Sequence, residues 1–315
     1  MDISIVIPLY NEEESLPELV EWISQVMTKH NHSFEIIMVD DGSNDDSWKV
    51  IESLSVKYPQ LRAVKFRRNY GKSPALHTAF QIAKGNVIIT MDADLQDSPE
   101  EIPELYRMII EDKFDLVSGW KKKRHDPLSK RLPSKFFNRI TRITSGIRLH
   151  DFNCGLKAYR ASVVKSIEIF GEMHRYIPVL AKQAGFKRIG EKVVSHQARK
   201  FGKSKFGFER FVNGYLDLLT VLFITRFGKK PMHIFGVLGS ILFILGFVSA
   251  AYLGIHKLVA MHNGVLIERV TASPYFYLSL VCIVMGTMLF LTGFLGELIS
   301  RSAADRNHYL IEKEI

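Results

Sequence analysis

The stretch Val87-Ile88-Ile89-Thr90-Met91-Asp92-Ala93-Asp94-Leu95-Gln96-Asp97 decides how the chain is read. Its first five residues form a short apolar, β-branched run, the pattern of a strand buried on both faces. The run empties into Asp92 and Asp94. Their i, i+2 spacing puts both carboxylates on one face at the strand's exit. Hard oxygen donors in that arrangement suit Mg2+ or Mn2+, and Gln96 adds a neutral oxygen at the next i+2 position. Mg2+ typically takes one or two carboxylates and completes its shell with substrate phosphates, so the expected cargo is a metal-bound diphosphate. Taken alone, the same residues would also serve as an acidic loop capping a helix after Pro99.

The preceding residues favour the metal reading. Ile3 to Ile7 reads as a buried strand ended by Pro8, followed by an amphipathic helix to about Thr28. Phe34 to Val39 is a second strand and Arg62 to Phe66 a third. Val87 to Met91 is the fourth and Phe114 to Val117 the fifth. Helical patterns over Trp48 to Tyr58 and Ser73 to Ala83 separate them. Strands alternating with helices predict a Rossmann-type, mostly parallel sheet. Ligands of such sheets sit beyond the carboxyl ends of the strands. Each polar cluster falls at such an end: Pro8-to-Glu12, Asp40-to-Ser43, Asp92-to-Gln96 and Gly119-to-Lys121. Turn chemistry explains one such cluster easily and four together poorly.

Neither a Gly-x-Gly-x-x-Gly after the first strand nor a Gly-x-x-x-x-Gly-Lys-Ser/Thr is present, which argues against dinucleotide and P-loop sites. The chain has 315 residues, enough for one α/β domain and a further element. That element is visible: Met232 to Ile255 and Thr271 to Gly296 carry no Asp, Glu, Lys or Arg. At about 1.5 Å per residue each can cross a hydrocarbon core of about 30 Å. Gly236, Gly239 and Ser240, with Gly286 and Gly293, would permit close helix contact and allow a homo-oligomer through the membrane helices. No signal peptide precedes the first strand, so the α/β domain is expected in the cytoplasm. Arg226, Lys229 and Lys230 before the first span and Arg301 and Arg306 after the second place both termini there too. The lone Cys154 and Cys282 fit a reducing compartment.

The net charge of +9 is concentrated in two stretches, Lys121 to Arg131 and Arg199 to Lys205. No groove-reading motif accompanies them, so no nucleic-acid partner is expected and anionic lipid is the simpler one. Leu128 to Ile147 carries apolar residues at helical spacing with Lys135, Arg139 and Arg142 between them. It reads as a basic helix in the membrane interface or as a helix packed on the sheet. Phe206 to Phe227 is expected along the bilayer surface.

The chain resembles a known family at several points. Pro8-Leu9-Tyr10-Asn11-Glu12, Asp40-Asp41-Gly42-Ser43, Asn69-Tyr70-Gly71-Lys72 and Met91 to Asp97 are similar to the motifs of family-two glycosyltransferases. More narrowly, the chain resembles the polyprenyl-phosphate sugar transferases, the dolichol-phosphate mannose synthase-like group. Asp151-Phe152-Asn153-Cys154-Gly155-Leu156-Lys157-Ala158-Tyr159-Arg160, Arg175-Tyr176-Ile177-Pro178, Arg199 to Lys205 and the two spans continue the likeness. Leu156 and Lys157 stand where Phe and Arg are usual, and Lys121 where an Arg is common. The resemblance implies a GT-A-like catalytic domain over 1–205. Interfacial helices at 206–230, a transmembrane hairpin at 231–297 and a tail at 298–315 would follow, at the bacterial inner membrane.

The expected reaction moves one sugar, with inversion, from a UDP- or GDP-sugar to a polyprenyl phosphate. A metal on Asp92, Asp94 and Gln96 would offset charge on the departing diphosphate. Pro8, Tyr10, Glu12, Asp41, Lys72 and Lys121 are the candidate donor-binding residues; Asp40 reads as a structural loop anchor. Asp151, Asn153 and Gly155 are assigned to the sugar and acceptor pocket. A phosphate monoester is mostly dianionic at neutral pH and needs no base, only cations to hold it in line. Arg175, Arg199, Lys203 and Lys205 are the candidates, with Arg175 also counted as catalytic. The alternatives are a glycosyltransferase using a glycolipid or glycan acceptor and a non-catalytic membrane scaffold.

Overall fold

A computed structural model describes residues 1–122, 138–169, 171, 173–197, 200, 231–265 and 268–302. The chain divides into two compact units, Met1–Leu222 and Phe223–Ile315. Expectations for Phe206 to Phe227, for the first half of the Leu128–Ile147 segment and for the tail from residue 303 lie outside the described residues.

The first unit is built on a seven-stranded sheet ordered β3-β2-β1-β4-β6-β5-β7. Its strands are β1 Ile3–Leu9, β2 Phe34–Asp40, β3 Leu61–Lys65, β4 Val87–Thr90, β5 Leu116–Trp120, β6 Lys157–Arg160 and β7 Ile189–Val193. β1 pairs in parallel with β2 and β4, β2 with β3, and β5 with β7. β6 is antiparallel to both β4 and β5, so it alone runs against the others. The helices α1 Leu16–Lys29, α2 Ser47–Lys57, α3 Lys72–Ile82 and α4 Ile102–Ile110 connect the strands.

Alternation along β1 explains why both faces are covered. Ile3, Ile5, Ile7 and Leu9 join one buried cluster with Leu16, Leu19, Ile23 and Ile102, while Val6 joins the other with Ala75, Leu76, Ala79 and Phe80. Burying each such side chain contributes about 1.5–3 kcal/mol. A run apolar at every position therefore belongs in the middle of a sandwiched sheet.

The expected strands are present, with shifted ends. β1 runs through Pro8 to Leu9 rather than ending before the proline. The Val6 carbonyl accepts from Met91 N, so even-numbered residues of β1 turn their backbone toward β4. β4 pairs only as far as Val6. The missing N–H of Pro8 therefore faces no partner strand. The sequence reading missed β6 and β7. β6 is only Lys-Ala-Tyr-Arg, and β7 is a half-exposed edge strand, so neither shows an apolar run. Residues 138–145 are helical. There Asn138 and Thr141 are buried, Ile140 packs on the core and Ile143 is exposed, which fits packing against the sheet for this half of the segment.

The second unit contains the helices Met232–His262, 31 residues, and Pro274–Ser302, 29 residues. Both are long and apolar enough to cross a membrane. Each outlasts the uncharged stretch that announced it, the first continuing through Lys257. Their large apolar side chains, such as Leu238, Phe247, Leu280 and Leu291, point outward. Glycines meet between them. A Cβ on Gly239 would lie 2.6 Å from the Gly286 carbonyl oxygen, and one on Gly286 would lie 2.5 Å from Phe243 N. Ser279 Oγ adds a 2.7 Å hydrogen bond to Ser249 Oγ. Gly236, Gly239, Gly286 and Gly293 thus serve contact between these two helices.

Candidate active site

Two loops beyond β1 and β2 are laced together. Asn11, at φ +54°, donates its N–H to Ser43 Oγ at 2.9 Å, and its side-chain oxygen accepts from Asn44 N at 2.9 Å. Glu12 N donates to Ser47 Oγ at 3.0 Å, and Asn44 Nδ2 reaches the Tyr10 hydroxyl at 3.3 Å. Pro8, Tyr10 and Glu12 are thereby held half-buried on one rim. Asp40 is fully buried, with Oδ1 accepting from Ser43 N at 2.8 Å and Lys65 Nζ 3.7 Å from Oδ2. That is the geometry of a loop anchor.

Asp41 reaches across to the next loop. Its Oδ1 accepts from Tyr70 N at 2.7 Å and its Oδ2 from Gly71 N at 2.9 Å. Burial raises its carboxyl above the ordinary range, and these two N–H groups work in the opposite direction. Gly42 makes the crossing possible: at φ +74°, its Cβ would lie 2.5 Å from the Arg68 carbonyl carbon. The clamped loop delivers Lys72, the first residue of α3, whose ammonium is ion-paired with Asp92 Oδ1.

The Asp92–Asp97 segment departs from simple strand alternation. β4 ends at Thr90, and Leu95 adopts φ +60°, a left-handed conformation for a residue that carries a Cβ. Its side chain is buried in the core below, which holds the bend in place. Gln96 folds back, its N–H donating to Asp94 Oδ1 at 3.2 Å and its Nε2 to the Gln197 carbonyl at 3.4 Å. Asp92, Asp94 and Gln96 therefore follow β4 in a turn rather than along an extended chain.

Because β6 is antiparallel, its entry loop arrives at the edge where the parallel strands exit. Thr90 pairs with Lys157, and the same register extended by two residues points Gly155 at Asp92. The two meet: a Cβ on Gly155 would lie 2.4 Å from Asp92 Oδ2 and 2.8 Å from Oδ1. Thr90 Oγ1 donates to the Gly155 carbonyl at 2.8 Å, fixing this approach. Asp151, also in the loop, is buried, and its Oδ1 accepts from Asn153 N at 3.0 Å. Asn153 itself is exposed.

Three ammonium groups offset the acids. Lys121 Nζ lies 2.7 Å from Oδ1 of the fully buried Asp97. Burial alone would lower the Lys121 pKa, but Asp97, Cys154 and Asp92 raise it well above the ordinary lysine value. Lys157 is buried and donates to the Cys154 carbonyl, and burial lowers its pKa. Burial works to raise the Asp92 pKa, but Lys72, Lys121 and Lys157 overcome it and hold that carboxyl at about 2. Burial pushes the Cys154 thiol up to about 12, so it is inert as a nucleophile at neutral pH. Lys157 and Asp97 lie inside the motifs that carry the family resemblance, yet nothing in their local sequence marks either as a site residue.

Arg175 lies in a short turn, Met173–Tyr176. The turn is tied to α3 by His174, whose N–H donates to Ser73 Oγ and whose Nδ1 lies 3.0 Å from the same oxygen. Arg175 is half-buried beside this tie. Arg199, Lys203 and Lys205 lie outside the described residues.

Among the described residues no three or more His, Cys, Asp or Glu side chains surround a common point. A cation on Asp92 and Asp94 would take its remaining oxygens from substrate or water, the coordination expected of Mg2+ or Mn2+ beside a diphosphate. The donor set therefore fits.

The fold defines an α/β domain of GT-A type. The family model for glycosyl transferase family 2 matches residues 4–168, and the chain belongs to that family. The dodecaprenyl-phosphate galacturonate synthase of Rhizobium johnstonii is 36% identical over 305 residues, which span 96% of this chain and 88% of that protein. An undecaprenyl-phosphate 4-deoxy-4-formamido-L-arabinose transferase of Pectobacterium atrosepticum is 36% identical over 100% of this chain and 94% of its own length. Among solved structures, glucosyl-3-phosphoglycerate synthase from Mycobacterium tuberculosis, in complex with UDP, has a TM-score of 0.55 at 18% identity. The match covers 71% of this chain and 79% of that one. The same enzyme with Mn2+, UDP-glucose and glycerol 3-phosphate has a TM-score of 0.53. At this identity the likeness speaks for the fold alone.

Proposed function

We propose that this protein transfers one sugar from a nucleoside-diphosphate sugar to a polyprenyl phosphate at the cytoplasmic face of a bacterial inner membrane. One observation carries the reading. Similarity to two different polyprenyl-phosphate sugar enzymes runs the length of the chain, through both the acidic sheet edge and the apolar helices.

In this reading the donor lies across the carboxyl ends of β1, β2 and β4. Pro8, Tyr10 and Glu12 line the nucleoside side, and Asp41 shapes that side by holding Tyr70 N and Gly71 N. Asp92 and Asp94, with Gln96, would hold Mg2+ or Mn2+, which when bound withdraws charge from the departing diphosphate. Lys121, paired with Asp97 and close enough to Asp92 to help lower its pKa, adds positive charge beside that diphosphate. Asp151, Asn153 and Gly155 border the sugar. The acceptor phosphate attacks C1 of the sugar from the face opposite the leaving group, so the anomeric configuration inverts. Arg175, Arg199, Lys203 and Lys205 hold the phosphate in line. The two apolar helices keep the domain at the bilayer where that phosphate is confined, with both termini in the cytoplasm.

The test is a panel of UDP- and GDP-sugars with short polyprenyl phosphates, read by mass spectrometry of the lipid fraction. A lipid-linked monosaccharide is the expected product. Transfer only to a glycolipid or glycan, or nucleotide release from no donor, would overturn the reading. Protease protection with tags at both ends checks the topology, and a C-terminal tag outside the cell would refute it.

A further inference from the structure

The ion pair between Lys72 and Asp92 poses a problem for metal binding. Asp92 is the first of the two carboxylates that fit a divalent cation, yet a lysine ammonium already sits on its Oδ1. This is not a chance contact of a wandering side chain. Asp41 holds Tyr70 N and Gly71 N at 2.7 and 2.9 Å, and Gly71 turns at φ +98° into the first residue of α3. The backbone that presents Lys72 is thus fixed from β2, while a lysine's four-carbon stem is long enough to carry the ammonium from one partner to another. The backbone at Gly155 lies against the same carboxylate, closest to its Oδ2. Lys121 and Lys157 add positive charge from further away. With 28% of the Lys72 side chain and 34% of the Asp92 side chain exposed, solvent reaches the pair.

A bare divalent cation approaching this carboxylate has to displace one ammonium and remain close to others. A cation arriving with a diphosphate does not meet that cost, because the phosphate oxygens accept the displaced ammonium. We propose that Lys72 is the resident counter-ion of Asp92. It yields the carboxylate to a divalent cation only when a nucleoside diphosphate arrives to receive its ammonium. Lys72 is then a positioning residue that makes metal binding conditional on the nucleotide. The inference rests on the proposed use of Asp92 and Asp94 as metal ligands and is independent of which acceptor is used.

The experiment is Mn2+ titration of the full-length protein in detergent, followed by electron paramagnetic resonance, without nucleotide and then with UDP or GDP. Wild type is expected to bind Mn2+ weakly alone and at least about tenfold more tightly with the matching nucleotide. Lys72→Met, with its unfolding temperature recorded, is expected to bind Mn2+ alone about tenfold more tightly than wild type and to lose most of the nucleotide's enhancement. Lys72→Arg keeps the charge and is expected to behave like wild type without nucleotide. Unchanged or weaker Mn2+ binding by folded Lys72→Met would overturn the proposal. So would wild-type binding that is equally tight with and without nucleotide, a result that stands even where Lys72→Met fails to fold. Absence of Mn2+ binding under every condition would overturn it together with the metal assignment. No acceptor lipid is present, so these outcomes are separable from those of the lipid-product assay.

Discussion

Glycine does the same steric job in two places with opposite chemistry. At the sheet edge, the missing Cβ of Gly155 lets a backbone lie against the carboxylate of Asp92. In the apolar hairpin, the missing Cβ atoms of Gly239 and Gly286 let one helix backbone lie against another. The first approach places a charge, and the surroundings answer with Lys72, Lys121 and Lys157. The second places no charge, and dispersion with the Ser279–Ser249 hydrogen bond completes it. Damage at the sheet edge should therefore appear in turnover, and damage in the hairpin in stability.

The largest effect expected is at the carboxylates. Asp94→Ala, and Asp92→Ala nearly as much, should lower transfer by about a thousandfold, about 4 kcal/mol of barrier, in a protein that remains folded. Steady-state transfer with each variant checks this, and near-normal turnover would remove the pair from the chemistry. Gly155→Ala comes next, at about a hundredfold loss, because the added methyl has to push Asp92 aside. Its signature is loss of Mn2+-dependent nucleotide binding in a protein that still melts cooperatively.

Gly286→Val tests the other side of the comparison. It should cost about 2 kcal/mol through overpacking and lower the unfolding temperature in detergent, while donor binding to the α/β domain is retained. If donor binding fell as steeply as stability, the separation of roles would be wrong. The smallest effect sharpens the contrast between functional and structural carboxylates. Glu35 is buried near the opposite end of the sheet. Burial works to raise its pKa, but Ser4 Oγ, Lys84 N and Arg62 lower it below 4.5. A carboxyl with a lowered folded pKa contributes stability that is present above the unfolded value and lost as pH falls through the folded one. Glu35→Gln should thus cost about 1 kcal/mol at neutral pH, and less as pH drops below about 4.5, leaving turnover nearly unchanged. Urea unfolding at several pH values gives the readout.

Much of this was legible before the fold was known. Ile3 to Leu9, Phe34 to Asp40 and Val87 to Thr90 are apolar at nearly every position, and such runs have few places to go except the centre of a sheet covered on both sides. Polar clusters at their ends then had to gather on one edge. The uncharged helices announced themselves by length. Less legible was anything depending on a short or polar partner. β6 has no apolar run, and β7 is half-exposed. Lys157 looked like a mere departure from a motif, because burial of a lysine cannot be read from its neighbours in sequence.

Local composition was therefore enough to specify the parallel strands, the acidic edge and the paired apolar helices, since these follow from periodicity and from the cost of exposing apolar surface. It was also enough to nominate Asp92, Asp94 and Gln96. Tertiary structure alone decided which groups stand beside them. The antiparallel insertion of β6 brought Gly155 and Lys157 to Asp92 across more than sixty residues of chain. The clamp from Asp41 brought Lys72 to the same carboxylate. Such pairings depend on strand direction and register, and no local pattern encodes them, because the same residues placed one strand over would meet different partners.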